Sequence, residues 1–345
     1  MTITEIRQIC IHGIGNKVSD EPNFYTKSAF KVTDYEINQL LLKYFTGSFK
    51  TEEYYNLQHD SSLKLNEIYT YVSDIFENPD NLFAQSINIT KHLYEKTTHP
   101  KIKSGELYVV YFKDCIIENE KTDAVGMFKS ENRESFLKVF VENGNYEINS
   151  EEGINISKLD KGCIIFNTSK EKGYLISLVD NPSKGSETQY WKDDFLHVSP
   201  RNDNYHQTQN LLSLCRNFVI EKLPTEFEAS KADQADMLNK SVKFFKENDT
   251  FVMDDFTEEV MQNPNVIDAF NKYKHQFSSE RDIDIADEFD ISASAVKKQQ
   301  RVFKSVIKLD KNFHIYVHGN REYIERGFDE ALGMYFYKVF FKEEN

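Results

Sequence analysis

The apolar positions at the start of the chain nearly alternate. Ile6, Ile9, Ile11 and Ile14 predict a strand over residues 6–14 with one irregular step. Ile37, Leu40, Leu41 and Tyr44 then recur at helical spacing behind a Thr33 or Asp34 cap, and Thr46-Gly47-Ser48 ends that helix. A second helix is expected from about Leu65 to Phe76, stopped by Asn78-Pro79. Asp80 opens a third, in which Leu82, Phe83, Ile87, His92 and Leu93 fall at helical intervals.

After His99-Pro100 the texture changes. GELYVVYFKDCII, DAVGMFKSE, ESFLKVFVENGNYEIN, GCIIFNT and GYLISLVD are short β-rich runs, which reads as an antiparallel meander. Asn143-Gly144 is the pair favoured in a tight hairpin. From Tyr190 to about Phe277 the pattern is helical again, with breaks expected at Pro200, Pro224 and Pro264, and strand-like KNFHIYVHG and GMYFYKVFF close the chain. The expected fold is α+β: N-terminal helices with an antiparallel meander over 1–185, then a mostly helical domain with terminal strands over 186–345. That boundary rests on the turn-rich segment between Asp180 and Gln189.

With 345 residues the chain is long enough for two domains with cores of their own. No apolar run approaches the roughly 18 residues of a membrane span, so no membrane partner is expected. The N-terminal MTITEIRQICIHGIG lacks the pattern of a signal or transit peptide and is expected to be retained. Cys10, Cys115, Cys163 and Cys215 form no CxxC pair, which points to a reduced, cytoplasmic protein.

A net charge of −14 works against a polyanion-binding role, since DNA affinity comes largely from neutralised phosphates. The charge is uneven, however. Residues 226–290 carry 17 acids against 7 bases, a net of −10, whereas residues 296–309 hold Lys297, Lys298, Arg301, Lys304 and Lys308 with no acid. Lys297, Lys298, Arg301 and Lys304 at i, i+1, i+4 and i+7 would share one helical flank, the expected main phosphate-contacting surface. A second surface is expected around Lys91, Lys96, Lys101 and Lys103, offset only by Glu95, with His92 and His99 adding charge below about pH 6.5.

Residues 283–302, IDIADEFDISASAVKKQQRV, carry a weak helix-turn-helix register. Ile285, Ala286 and Phe289 would face inward from a first helix, with Ser292 capping a second anchored by Val296. The glycines of His12-Gly13-Ile14-Gly15-Asn16-Lys17 suggest an anion cradle, but the spacing matches no nucleotide motif, and a strand leaving the core explains them equally. His314 and His318 alternate with Phe313, Ile315 and Val317, so they lie on a strand about 13 Å apart and cannot chelate one ion. No nucleophile elbow, zinc-protease motif or papain-like cysteine is present, and no enzyme, cofactor or metal is expected. Asp254, Asp255, Glu258 and Glu259 fit the wet face of a short helix, with Phe256 and Val260 turned inward. Aromatics make up 14% of the chain. YVVYFK and MYFYKVFFK set them beside lysines, either as core or as stacking platforms for single strands.

The opening IRQICIHGIGNK, the early LLKYFTGSF (41–49) and above all FKSVIKLDKNFHIYVHGNREYIERGFDEALGMYFYKVFF (303–341) resemble bacterial nucleoid-associated proteins of the NdpA/YejK type. Within that family the chain looks like the Bacteroidetes branch. The resemblance implies a cytoplasmic, nucleoid-located, DNA-binding protein, with topoisomerases among the partners and no catalytic motif to carry across. The expected partners are DNA, double- or single-stranded, a topoisomerase or other nucleoid protein, and a second copy of the chain. An adaptor that binds a DNA-handling protein without touching DNA is the alternative.

Overall fold

The computed structural model describes residues 1–50, 52–181, 190–300, 303, 306–310, 312–317 and 321–343. It divides after Arg201 into two compact units, Met1–Arg201 and Asn202–Asn345. The expected division at 185/186 falls among residues outside the described ones. Trp191, Phe195 and Leu196, just beyond it, are buried in the core of the first unit.

The first unit runs β1 (Glu5–Ile14), α1 (Tyr35–Thr46), β2 (Tyr54–Leu57), α2 (Glu67–Glu77), α3 (Leu82–Glu95), β3 (Gly105–Ile117), β4 (Glu120–Ser130), β5 (Glu134–Glu142), β6 (Asn145–Gly153), β7 (Lys161–Phe166), β8 (Leu175–Asp180) and β9 (Val198–Pro200). The second continues with α4 (Asn204–Asn217), α5 (Leu223–Glu226), α6 (Lys231–Glu247), β10 (Thr250–Val252), α7 (Met253–Phe256), α8 (Pro264–Arg281), β11 (Glu288–Asp290), α9 (Ala293–Gln299), β12 (Val306–Leu309), β13 (Phe313–Tyr316), β14 (Ile324–Asp329) and β15 (Met334–Val339). The α+β reading of the sequence holds.

Seven strands form one antiparallel sheet in the order β1-β3-β4-β7-β8-β2-β9. The irregular step in the N-terminal apolar pattern is a bulge, where the pairing with β3 shifts between Ile6 and Gln8. Antiparallel sheets often leave one face wet, but this one is covered twice. Leu107, Val109 and Tyr111 of β3 pack with Val72 and Ile75 of α2 and Ile89 and Leu93 of α3. Tyr108, Val110 and Phe112 pack on the other face with Leu42, Tyr44 and Phe45 of α1. The unbroken apolar run YVVYF in the sequence is the signature of that double burial. One run of the expected meander, ESFLKVFVENGNYEIN, leaves the sheet: its two strands β5 and β6 pair only with each other, and β7 takes the place beside β4. Their turn has Asn143 at φ 49° and Gly144 at φ 77°, the left-handed pair that a two-residue hairpin of matching twist needs.

Phe45 stacks on Phe128 at 4.3 Å, and Phe112 meets Phe128 edge-on at 6.1 Å. Gly126 makes room for both rings, because a Cβ there would lie 2.5 Å from Phe128 and 2.6 Å from Phe112.

The second unit is built on a phenylalanine cluster in which Phe218, Phe244, Phe251, Phe256 and Phe270 are almost fully buried. Phe251 stacks on Phe245 at 5.5 Å and on Phe289 at 5.0 Å. Phe256 and Val260 do turn inward, leaving Asp254, Asp255, Glu258 and Glu259 exposed. Pro264 opens α8 and Pro200 lies in β9, so the helical path is broken at both as expected, but Pro224 sits inside a helix and breaks nothing. A π-helical turn at Phe218–Lys222 precedes Pro224, so the missing amide falls where the helical path has already been widened.

Trp191, the single tryptophan, is fully buried in the first unit and reports on that unit alone. Gly126→Ala is expected to lower the stability read by Trp191 fluorescence in urea by about 1–3 kcal/mol, the usual cost of overpacking. A shift below about 0.5 kcal/mol, within the range of a neutral surface change, would mean the rings give way freely.

Candidate nucleic-acid interface

The helix-turn-helix register is not what the chain forms. Residues 288–290 are a strand, β11, paired with β10, and Phe289 lies opposite Phe251. A ring stack between residues far apart in sequence outweighs the local helical pattern. Gln207 receives the Ala286 amide at 3.0 Å, fixing the approach to β11 as extended chain. The second expected helix does form as α9, capped by Ser292 on the Ala295 amide. It is short, and it closes at Gln299 with Gln300 as its C-cap.

Of the expected flank, Lys297 and Lys298 are exposed in the last turn of α9, where cations suit the helix dipole. The Lys298 ammonium stands 5.8 Å from the Tyr205 ring centre. Arg301 and Lys304 lie outside the described residues. Lys308 is exposed on β12 opposite His314, which is on a strand as expected; His318 lies outside the described residues.

The second group of lysines lies around the C-terminal end of α3. Lys91 is exposed on α3, Lys96 is its half-buried C-cap, and Lys101 and Lys103 are exposed on the loop into β3. Glu95, the one nearby acid in the sequence, is taken by Lys17 in an ion pair. The loop is tied down from both sides. The buried Asn16 side chain donates to the carbonyls of His99 at 3.0 Å and Ile102 at 2.6 Å. The Lys129 ammonium donates to the carbonyl of Lys103 at 2.6 Å.

Lys129 was not singled out by its sequence position, where it ends an apolar strand. Its side chain is completely buried, and the ammonium has two further acceptors, Glu131 Oε1 at 2.9 Å and the Tyr190 hydroxyl at 3.0 Å. Tyr190 in turn donates to Glu131 at 2.7 Å. Burial pushes the Glu131 carboxyl up, but the Lys129 charge and the Tyr190 hydrogen bond more than reverse this and hold it below the usual carboxylate range. Asp160 accepts from the Glu131 and Asn132 amides at 2.8 and 3.0 Å, and Asn132 accepts from the Lys103 ammonium at 2.5 Å. The only signal in the sequence is a lysine where the strand pattern calls for an apolar residue.

The glycine loop is no anion cradle. Its amides are already committed: Gly15 to Asn23, Asn16 to Glu21, Lys17 to Thr97, and Val18 and Ser19 to Asn16. The buried His12–Ser86 contact is no catalytic dyad either. Thr26 N–H donates to His12 Nδ1, so Nε2 carries the proton and donates to Ser86 Oγ at 2.8 Å. Ser86 spends its own proton on the Phe83 carbonyl at 2.8 Å, so nothing activates it as a nucleophile. A cleft of about 330 Å3 beside α8 mixes Lys222 and Lys272 with Glu226 and Asp268, a balance that suits no strong polyanion.

The aromatic runs divide. Tyr108, Tyr111 and Phe112 of YVVYFK are core, whereas Tyr335, Phe340 and Phe341 of MYFYKVFFK are exposed. No group of three or more metal-ligating side chains occurs among the described residues. No helix among them is long and apolar enough to cross a membrane. The four cysteines are free and buried.

The family model described as nucleoid-associated protein YejK matches residues 10–332. The chain belongs to this family of bacterial nucleoid-associated proteins. No curated protein matches it. Membership carries no residue assignments with it.

The histidine expected to charge the second lysine group does not do so readily. His92 is nearly buried and bonded to the Phe195 carbonyl, and burial draws its pKa below the ordinary histidine value of 6.5. Burial lowers His12 in the same way. In the unfolded chain both protonate near 6.5; in the folded chain only at lower pH. Their contribution is therefore present above pH 6.5 and lost as pH falls below it. Urea midpoints read by Trp191 should decline from pH 7.5 to 5.5, less steeply in His12→Gln. A midpoint flat across that window would show that both rings charge freely in the folded protein.

Proposed function

We propose that the protein is a non-enzymatic nucleoid factor that binds DNA directly through local lysine surfaces. In the reverse of the order expected from the sequence, the surface at the end of α3, with Lys91, Lys96, Lys101 and Lys103, makes the first contact. Lys297, Lys298, Arg301, Lys304 and Lys308 form a second. The observation that carries the reading is the anchored loop: Asn16 and Lys129 hold the main chain on either side of Lys101, while Lys17 removes the charge of Glu95. Pre-organised cations lose little freedom on meeting a phosphate backbone. Such contacts read no sequence and release counterions, so affinity falls with salt.

The exposed acids Asp254, Asp255, Glu258 and Glu259 favour one second reading, an adaptor that engages a basic DNA-handling protein such as a topoisomerase. Mobility shifts on duplex and single strands at two salt concentrations separate the two. Lys101→Glu with Lys103→Glu should weaken binding to every sequence and, on duplex, reduce the salt slope by about 0.9 for each phosphate that is no longer neutralised. Lys297→Glu with Lys298→Glu should give a smaller effect. Wild-type protein without salt-dependent binding would reject direct contact and leave the adaptor.

A further inference from the structure

The β5–β6 ribbon presents an exposed apolar face. In the register of this hairpin, Leu137 pairs with Ser150, Val139 with Ile148 and Val141 with Tyr146. Paired residues share a face, so Leu137, Val139, Val141, Tyr146 and Ile148 form one apolar stripe. These five are 59–80% exposed. A lone two-stranded ribbon is marginal in water, and a contiguous exposed apolar stripe marks a contact surface.

Charge selects the occupant. Glu134, Lys138, Glu142, Glu147 and Glu151 all lie on the opposite face, where Lys138 pairs with Glu151 at 2.9 Å. The apolar face carries a single ionised residue, Glu152, at its base. On a chain of net charge −14, this is ground where a second copy meets almost no like charge. DNA would find no cation there, and a basic protein would find its acids on the reverse side.

We infer that two copies of this chain associate by crossing their β5–β6 ribbons face to face. A two-fold axis between the Leu137–Ser150 and Val139–Ile148 pairs lays each tip, with Tyr146 and Val141, over the other ribbon's base. The two Glu152 side chains then sit at opposite ends, so the contact is self-complementary. Strands of nine residues give a face about 30 Å long and 10 Å wide, on the order of 300 Å2. That is below the ~800 Å2 per partner of a standard interface, so the dimer is weak and concentration-dependent. The inference concerns self-association alone and stands whether or not the lysine surfaces bind DNA.

Sedimentation velocity of the full chain without DNA, from about 1 to 200 µM, should show monomer passing to dimer as expected for a small interface. Val139→Glu with Ile148→Glu should remain monomeric throughout, with unchanged circular dichroism. Because the native thiols are buried, an introduced surface cysteine can be read cleanly. A short bis-maleimide should link Val139→Cys into dimers and leave Lys138→Cys, on the reverse face, as monomer. A wild-type chain that stays monomeric would overturn the inference. So would a dimer that survives the double substitution, or equal linking of the two cysteine variants.

Discussion

Everything in the first unit follows from a sheet that has no wet face. Once α1 covers one side of β3 and β4 and α2–α3 cover the other, each polar group at a strand end must find a partner inside the protein or leave the sheet. Lys129 is the extreme case. Its charge lies at the end of a doubly covered strand, and the ammonium is satisfied only by drawing Glu131, Tyr190 and the Lys103 carbonyl around it. Removing one partner from such a cluster leaves an uncompensated charge or donor, which is far costlier than never having buried it.

The anchored lysine loop is a by-product of this constraint. Main chain leaving α3 must re-enter the sheet at β3 and passes between two buried side chains, Asn16 and Lys129, that need its carbonyls. The exposed ammonium groups of Lys101 and Lys103 thus ride on backbone held for reasons of internal hydrogen bonding. An acidic protein can in this way keep a small, stiff cationic surface without becoming basic overall.

Local features were legible in the sequence. The Asp34 cap, the stop after α2, the Asn143-Gly144 turn and the inward Phe256 and Val260 each depend on neighbours within a few residues. Features set by distant partners were not. β2 and β9 are too short to show a period and exist because they pair with each other and β8. Ile285 to Phe289 carries apolar spacing compatible with helix or strand, and the stack on Phe251 decides for strand. For the candidate site, lysine positions could be read, but the Lys17–Glu95 pair and the burial of Lys129 could not. Aromatic content alone could not decide between core and surface at β15, where Tyr335 and Phe336 are exposed while Tyr337 packs beside Ile307, Val317 and Ile324.

The family match and the folding unit do not end together. The match to the family model ends at residue 332, within the turn between β14 and β15, while the hydrogen-bond ladder joins Ile324 to Val339 and Asp329 to Met334 across that turn. An alignment edge here is no guide to where the polypeptide can be cut. Truncation at that edge would leave β14 as an orphan strand, its ladder amides and carbonyls open along the side that β15 now fills. The stretch beyond the family match is thus one half of a two-stranded fold element and no dispensable tail.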